Sequence, residues 1–226
     1  MQDHAVDFAP AGLAVAAFSS AAYWEQRYRQ GGHSGAGSYG RLAAFKADFL
    51  NAFIRDNAIA SAIEFGCGDG NQLTLLEVAD YAGIDVAAAA VQRCRDHFGH
   101  QPGRQFRHGD DLSGLDAAAL ALSLDVIYHL VEDAVFAGYL ENLFAHAHRF
   151  VVIYASDIES EWPSPHVRHR RFTAHVAHHF PDWLLAAVVP NLYPYDPHQP
   201  DDTSFAAFHV YRQPHEPCRI AVPARR

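Results

Sequence analysis

The stretch Ile63-Glu64-Phe65-Gly66-Cys67-Gly68-Asp69-Gly70 decides how the rest of the chain is interpreted. Its apolar start predicts a buried strand, and its three glycines predict a sharp turn into a helix that begins near Gly70. That predicted helix carries Leu73, Leu75 and Leu76. Because glycine has no Cβ, a ligand can approach the backbone at Gly66 and Gly68, where the N–H groups opening the helix can donate to it. The stretch therefore predicts a ligand site.

The spacing of the glycines distinguishes two classes of nucleotide site. A nicotinamide site has the pattern G-x-G-x-x-G, whereas Asn71 stands here where that pattern requires its third glycine. The stretch instead resembles the first motif of the class I S-adenosylmethionine (SAM)-dependent methyltransferases, an acidic residue and one apolar residue followed by G-x-G-x-G. The residues that fit, together with the cysteine inside the motif, are Glu64, Gly66, Cys67, Gly68 and Gly70. The resemblance implies that Glu64 lies near the methionine amino group and that the turn lies beneath the cofactor.

Acidic residues after the next two predicted strands extend the resemblance. Asp85 ends the strand predicted over 81–84, and a carboxylate there can accept both hydroxyl protons of a ribose. Its neighbour Val86 is assigned to the same cofactor site. After the strand predicted over 104–108, the resemblance implies that Asp110 accepts from the adenine amino group and that Asp111 contributes backbone contact. An ordinary Gly-Asp turn is the alternative at that point.

The segment before this motif is similar to the lids of many small-molecule methyltransferases. A short aromatic helix over 21–30 contains Tyr23 and Trp24, and a glycine-rich loop over 31–40 follows it. The similarity implies that both aromatic side chains contact the cofactor, although simple packing on the core explains them equally well. Arg27 and Tyr39 are candidates for reaching the cofactor carboxylate or the substrate.

The residues after the predicted fourth strand, 120–124, are candidates for catalysis. If residues 125–130 are helical, Asp125 and His129 share one face at the carboxyl end of the sheet. A histidine oriented by a carboxylate, with a pKa near the working pH, can remove a proton from a hydroxyl or amine acceptor. His129 falls where many members of the family have a histidine, which is catalytic in some and structural in others. Tyr128 is a candidate wall of the substrate pocket.

A segment rich in histidine and arginine follows the predicted fifth strand. Its members His166, His169 and Arg170 are candidates for binding an acidic substrate such as a sugar acid or a phosphate. A solvated connection into the helix predicted over 173–180 is the alternative. The proline- and tyrosine-rich loop over 190–197 is either a further wall of the pocket or a stiff connection.

These elements together predict an α/β fold, a Rossmann-like doubly wound seven-stranded sheet. Helices cover both faces, every crossover passes through a helix, and the sheet is mostly parallel with an antiparallel last strand. The predicted boundaries are a flexible N-terminal segment over 1–20, a class I methyltransferase domain over 21–212 whose helical lid spans 21–57, and a flexible tail over 213–226.

Composition restricts the partners of the chain. With 17 basic and 26 acidic residues the net charge is -9, which argues against a broad nucleic-acid or anionic-membrane surface. Three scattered cysteines do not form a disulfide framework, so a cytoplasmic location is expected. Of the 16 histidines, those at 146, 148, 175, 178 and 179 fall on predicted exposed helix faces, and no metal is expected. No run of apolar residues is long enough for a membrane span. The expected partner is a small molecule, and the chain is expected to be a monomer or a homodimer.

The predicted activity is SAM-dependent methyl transfer to a small molecule, with an oxygen of a sugar or other metabolite as acceptor. The sequence 123–126 lacks the Asn/Asp-Pro-Pro-Tyr/Phe motif, which disfavours amide and adenine acceptors. An RNA methyltransferase and a catalytically inactive SAM-binding partner subunit remain alternatives. A nicotinamide oxidoreductase is a weaker alternative, given the glycine spacing.

Overall fold

A computed structural model describes residues 18–221, which are built around a seven-stranded sheet in the order β3-β2-β1-β4-β5-β7-β6. The strands are β1 (Ser61–Phe65), β2 (Asp80–Asp85), β3 (Arg104–His108), β4 (Ala118–Leu124), β5 (Ala147–Ala155), β6 (Leu184–Pro190) and β7 (Ala207–Arg212). The helices are α1 (Ser20–Arg29), α2 (Gly40–Asp56), α3 (Ala88–Phe98), α4 (Asp133–Ala145) and α5 (Phe172–His179).

The sheet reverses its winding direction at β1. Strand β1 pairs in parallel with β2 on one side and β4 on the other, and β7 lies antiparallel between β5 and β6. Ligands of open α/β sheets bind beside the carboxyl ends of the strands at such a reversal. The predicted fold class, a mostly parallel doubly wound sheet with one antiparallel strand, is confirmed.

Each face of the sheet has its own apolar core. On one face, Phe45, Phe49 and Phe53 of α2 are buried, with the rings of Phe49 and Phe208 4.1 Å apart. On the other face, α4 and α5 bury Leu140 and Phe172 against the opposite side chains of the same strands. The alternation of side chains along each strand supplies both cores, because both faces of a mainly parallel sheet are covered.

Two crossovers differ from the prediction that each passes through a helix. After Gly70 only a 3₁₀ turn, Gln72–Leu75, forms before β2, so the predicted helix is wrong. Leu73 and Leu76 are buried as expected, but Leu75 is 40% exposed. The chain between β3 and β4 likewise contains only turns. A crossover usually needs about a dozen residues or more to include a helix. Only residues 109–117 join β3 to β4, and after β1 the glycine turn over 66–70 leaves only residues 71–79 before β2.

Two further boundaries also differ from the sequence prediction. The helix expected over 125–130 is a 3₁₀ turn restricted to Ile127–His129, because Asp125 has a left-handed backbone with φ of 60°. Helix α4, expected to continue to Arg149, ends at Ala145, and β5 begins at Ala147. There the apolar residues pair with β4, which outweighs their helical spacing.

The segment 213–221 packs on the domain, in contrast to the flexible tail predicted over 213–226. The Asn57 side chain donates to the carbonyl of Arg219 at 2.8 Å and accepts from its N–H at 2.8 Å. Cys218 and Ile220 pack against the α2 face of the core. Residues 1–17, most of the predicted flexible N-terminal segment, lie outside the described residues, as do 222–226. Within 18–221 no helix is long and apolar enough to cross a membrane.

Candidate functional site

A cavity of about 320 Å³ opens at the carboxyl ends of β1, β2 and β4. The glycine turn after β1 forms one wall, and α1 with the loop that follows it forms the roof. Pockets for small molecules typically measure roughly 300–1,000 Å³, so this cavity is large enough for a small ligand. The predicted cofactor and catalytic residues that line it are Trp24, Glu64, Gly66, Cys67, Gly68, Asp85, Val86, Asp125 and His129.

The glycine turn tolerates no side chain at its two central positions. Gly66 and Gly68 have left-handed φ angles of 82° and 57°. A Cβ on Gly66 would collide with Val126, and one on Gly68 would collide with Ser34 and lie 2.8 Å from the Tyr28 hydroxyl. Both glycines are therefore required by conformation, Gly66 also by the close approach of Val126 and Gly68 by that of the roof.

The loop between α1 and α2 is fastened to this turn through Asp69. Its carboxylate accepts from the Ser34 N–H at 2.8 Å and from the Tyr39 hydroxyl at 2.8 Å. In return, the Asp69 N–H donates to the Ser34 hydroxyl at 2.9 Å. Tyr39, a predicted ligand contact, thus bonds to the turn, and the glycine-rich loop covers the cavity in a closed position.

Asp85 is held at the tip of β2 by backbone donors. One carboxylate oxygen accepts from the Gly68 N–H at 2.9 Å and the other from the Ala87 N–H at 2.9 Å. Burial raises the pKa of Asp85 to about 6, against the effect of these two hydrogen bonds. Each oxygen retains acceptor capacity, so the carboxylate can still accept from two hydroxyl groups.

Glu64 lies at the buried end of β1. It is 3% exposed and accepts from the Tyr81 hydroxyl at 2.5 Å. Burial raises its pKa to about 7, while the Tyr81 hydrogen bond and the positive charge of Lys46 oppose the rise. Glu64 can therefore change protonation near neutral pH when a cation binds beside it.

A buried ion pair that the sequence analysis missed joins α2 to the residue after β4. The Lys46 ammonium, fully buried, lies 2.6 Å from one carboxylate oxygen of Asp125, whose other oxygen accepts from the Tyr128 hydroxyl at 2.8 Å. Lys46 lines the cavity with Glu64. A signal for this residue was present, because Lys46 lies on the apolar face of α2, four residues from Leu42 and three from Phe49.

His129 is not oriented by Asp125. Its Nδ1 bonds to the carbonyl of His166 at 3.0 Å, and since a carbonyl only accepts, Nδ1 carries the proton and Nε2 is the acceptor. Burial lowers the pKa of His129 to about 4, so the expected pKa near the working pH is wrong. The Asp-His pair was predicted from helical spacing, which the left-handed Asp125 abolishes. The Trp24 ring lies edge-on to the imidazole, with centroids 4.9 Å apart.

The side chain of Asp110, the predicted adenine acceptor, points away from the cavity, and so does that of Asp111, for which only a backbone contact was predicted. The Asp110 side chain is 94% exposed and lies 3.5 Å from His108 Nδ1. Asp111 is also exposed and accepts from the Ser113 hydroxyl at 2.7 Å. The cavity is lined at this point by Gly109 and Leu112. The turn was located correctly, but its acidic side chains face solvent.

The predicted substrate residues have structural contacts. His169 is buried, with Nδ1 2.6 Å from the Ser156 hydroxyl, and Arg170 pairs with Asp133 at 2.5 Å. Tyr128 is buried against Asp125 instead of forming an open wall. His166 is stacked on Tyr23, with ring centroids 4.6 Å apart. Of the residues predicted on α1, Trp24 lines the cavity, and Tyr23 packs behind it.

Solved structures similar to this chain share its fold at low sequence identity. The N-methyltransferase NodS from Bradyrhizobium japonicum WM9, in complex with S-adenosyl-L-homocysteine (SAH), is 14% identical, with a TM-score of 0.63 over 88% of this chain and 100% of that one. The magnesium protoporphyrin IX methyltransferase ChlM from Synechocystis PCC 6803, with bound SAM, is 14% identical, with a TM-score of 0.59 over 88% and 99%. No protein-family model and no curated protein sequence matches the chain.

These likenesses define the class of fold. The chain has the Rossmann-like fold of the class I SAM-dependent methyltransferases, as the glycine motif and strand order predicted. A third similar structure, the mitomycin 7-O-methyltransferase MmcR, has a TM-score of 0.54 at 13% identity over 76% of this chain and 52% of that one. Because N- and O-methyltransferases share this fold, the fold does not determine the acceptor atom.

Proposed function

We propose that the chain is a SAM-dependent methyltransferase that acts on a small molecule, with an oxygen as the acceptor. The observation that carries the proposal is the position of Asp85. Its carboxylate ends β2, is held by the N–H of Gly68 from the glycine turn, and lines the same cavity as that turn. A carboxylate beside a glycine turn suits a ribose joined to a group that lies against the backbone.

The remaining cavity residues fit the rest of such a cofactor. Gln72 is 4% exposed, lines the cavity and has a buried side-chain oxygen without a hydrogen-bond partner in the described residues. That oxygen and Glu64 would accept from an ammonium. Val86 and Leu112 would hold the adenine between apolar surfaces. The adenine role predicted for Asp110 requires its exposed side chain to turn inward.

The reaction needs little covalent chemistry from the protein, because the bound cofactor supplies an activated methyl group. The residues of this chain orient the acceptor and exclude water, which the closed loop between α1 and α2 achieves by covering the turn. His129 is neutral at pH 7, and its Nε2 is free to accept a proton from a hydroxyl acceptor. Trp24 fixes the ring beside the cavity. Catalysis by His129 is proposed on this basis. Asp125 lines the same cavity, and the contribution that we propose for it does not pass through His129.

The small-molecule acceptor is favoured over RNA by charge. A net charge of -9 is unsuited to an extended polyanion. A catalytically inactive partner subunit would have the same cavity, so turnover by the purified chain separates it from an enzyme. The compartment expected for either is the cytoplasm.

Calorimetric titration of the full chain with SAH, with NADH as the control, tests the cofactor. We expect micromolar affinity for SAH and none for NADH. Binding of NADH alone would indicate that the glycine turn forms a nicotinamide site. Failure of both SAH and NADH to bind would contradict the proposal. Formation of SAH from SAM in the presence of sugars and other hydroxyl compounds then tests the activity.

A further inference from the structure

Arg27 lies on α1 against Trp24, a residue of the cavity wall, and its orientation is fixed by its neighbours. Its Nε donates to the carbonyl of His33 at 2.7 Å, and its guanidinium carbon lies 5.6 Å from the centre of the Trp24 ring, which lines the cavity. Gly32 packs so closely that a Cβ there would lie 2.8 Å from Arg27 Cγ. These neighbours hold the side chain in place, and its two terminal nitrogens make no hydrogen bond within residues 18–221.

Arg27 differs from the neighbouring cations in what its guanidinium binds. Arg29 on the same helix pairs with Glu25, Lys46 pairs with Asp125, and two arginines at 168 and 170 share Asp133. Within residues 18–221, Arg27 has no carboxylate within 4.0 Å, and its only side-chain hydrogen bond is the one from Nε. Arg93, which also lacks a carboxylate partner within residues 18–221, donates from both terminal nitrogens to the carbonyls of Gly32 and Tyr28. A half-buried guanidinium left without an anion in a chain of net charge -9 suggests that a ligand supplies the anion.

Two neutral imidazole rings lie near Arg27. The His166 ring is stacked between Tyr23, 4.6 Å away, and His129, 5.5 Å away between centroids. Burial lowers the pKa of His166, and the charge of Arg27 lowers it further. Arg27 also acts on His129, whose pKa is lowered first by burial. Both neutral rings can donate or accept a hydrogen bond beside the arginine.

We propose that Arg27, together with the ring of His166, forms an anion subsite at the rim of the cavity, and that the methyl acceptor carries a carboxylate or phosphate group. The assignment rests on the proposed function, since it places this anion on the acceptor. The two terminal nitrogens of a guanidinium bind either group through paired hydrogen bonds. The anion would bind next to Trp24 and so place the rest of the acceptor at His129.

A chemical-shift titration of the SAH-loaded full chain at constant ionic strength tests the subsite. The signal of the Trp24 indole N–H, assigned with Trp24→Phe, is followed during addition of inorganic phosphate in one arm and acetate in the other. We expect at least one anion to shift this signal with a millimolar dissociation constant. Arg27→Gln should weaken that binding at least tenfold, and the arm that responds identifies the acceptor group as phosphate or carboxylate.

Arg29→Gln is the matched control, because it removes the same charge from the same helix at a side chain paired with Glu25. It should change anion binding less than twofold. No response to either anion, or equal binding by Arg27→Gln and the wild type, would overturn the subsite. So would a tenfold loss of SAH affinity in Arg27→Gln, since Arg27 would then hold the cofactor. If SAH fails to bind while anion binding still depends on Arg27, the proposed function fails and the subsite stands.

Discussion

The tip of β2 and the segment after β4 both present an aspartate to the cavity, but they hold it by different means. Asp85 is held by two backbone N–H groups, that of Gly68 in the glycine turn and that of Ala87, two residues later in the chain. Asp125 is held by the side chains of Lys46, 79 residues away, and Tyr128. The first arrangement follows from local strand-and-turn geometry, whereas the second depends on how α2 packs on the sheet.

This difference separates two halves of the site. At the β2 side, main-chain donors define where a carboxylate lies, so the arrangement suits a ligand part that is the same in every reaction. At the β4 side, an ion pair, a tyrosine and an imidazole meet, and any of them can change without altering the strands. We therefore expect substitutions after β4 to change stability and acceptor chemistry, and substitutions at β2 to change cofactor affinity.

The largest effect is expected from Lys46→Met, which keeps the length of the side chain and removes its charge. It leaves the Asp125 carboxylate, 12% exposed, without its cation. Breaking a buried pair on one side costs about 3–5 kcal/mol, so we expect a loss of about 3 kcal/mol in the free energy of unfolding. Urea denaturation at pH 7 measures it.

Two variants show whether this loss comes from the buried pair. Adding Asp125→Asn to Lys46→Met removes the uncompensated charge and should recover about half of the lost stability. Arg55→Met is the matched control on α2, since Arg55 is 68% exposed and pairs only with its neighbour Asp56. A surface change of this kind should stay within about 0.5 kcal/mol. Similar losses of unfolding free energy in Lys46→Met and Arg55→Met would show that the buried ion pair after β4 does not stabilise the fold more than a surface pair does.

The fold could be predicted further than the site. The acid-glycine motif and the position of Asp85 depend on residues close in sequence, and both the doubly wound sheet and the position of this carboxylate at the end of β2 agree with the prediction. The partners of Asp125 and His129 could not be found by helical spacing, because Asp125 adopts φ of 60° and rotates the following side chains. Lys46, His166 and Arg27 reach the site only through the packing of α2, the loop after β5 and α1.

His129 should make the free energy of unfolding depend on pH, and this effect is expected to be smaller than that of Lys46→Met. Its pKa falls from an ordinary value near 6.5 to about 4 in the folded chain, so the unfolded chain binds more protons between these values. Stability is therefore lost as pH falls from about 6.5 towards 4. Since one pKa unit corresponds to about 1.4 kcal/mol, a fall of about 2.5 in the pKa corresponds to about 3.4 kcal/mol in full, of which about 2.5 kcal/mol is lost between pH 6.5 and 4.

His129→Asn isolates that contribution. The asparagine amide can still donate to the carbonyl of His166, but it does not titrate. Across pH 6.5 to 4 the variant should lose about 2 kcal/mol less than the wild type, measured by urea denaturation at each pH. His100→Asn, at an exposed position, should retain the wild-type dependence. Parallel curves for His129→Asn and the wild type would show that the ring is not held neutral by burial.

Asp85→Ala should have the next largest effect, on cofactor affinity. It removes the acceptor that we assign to the ribose, and a tenfold weaker dissociation constant corresponds to about 1.4 kcal/mol. We expect at least that loss for SAH by calorimetry. Asp80→Ala is the control at the opposite, exposed end of β2, and it should bind SAH as the wild type does. An unchanged affinity of Asp85→Ala for SAH would show that Asp85 does not bind the ribose and that the β2 side of the site does not determine cofactor affinity.

The smallest effect is a proton released from Glu64 on cofactor binding. Because its pKa is raised to about 7, Glu64 is about half protonated at pH 7 in the free chain. A bound ammonium would favour the carboxylate and lower that pKa, so up to about half a proton should leave. Calorimetry with SAH in buffers of different ionisation enthalpy measures this release, which should vanish at pH 9 and in Glu64→Gln. Proton uptake at pH 7, or release that persists in Glu64→Gln, would mean that the ammonium binds elsewhere and that the turn contacts only the nucleoside half of the cofactor.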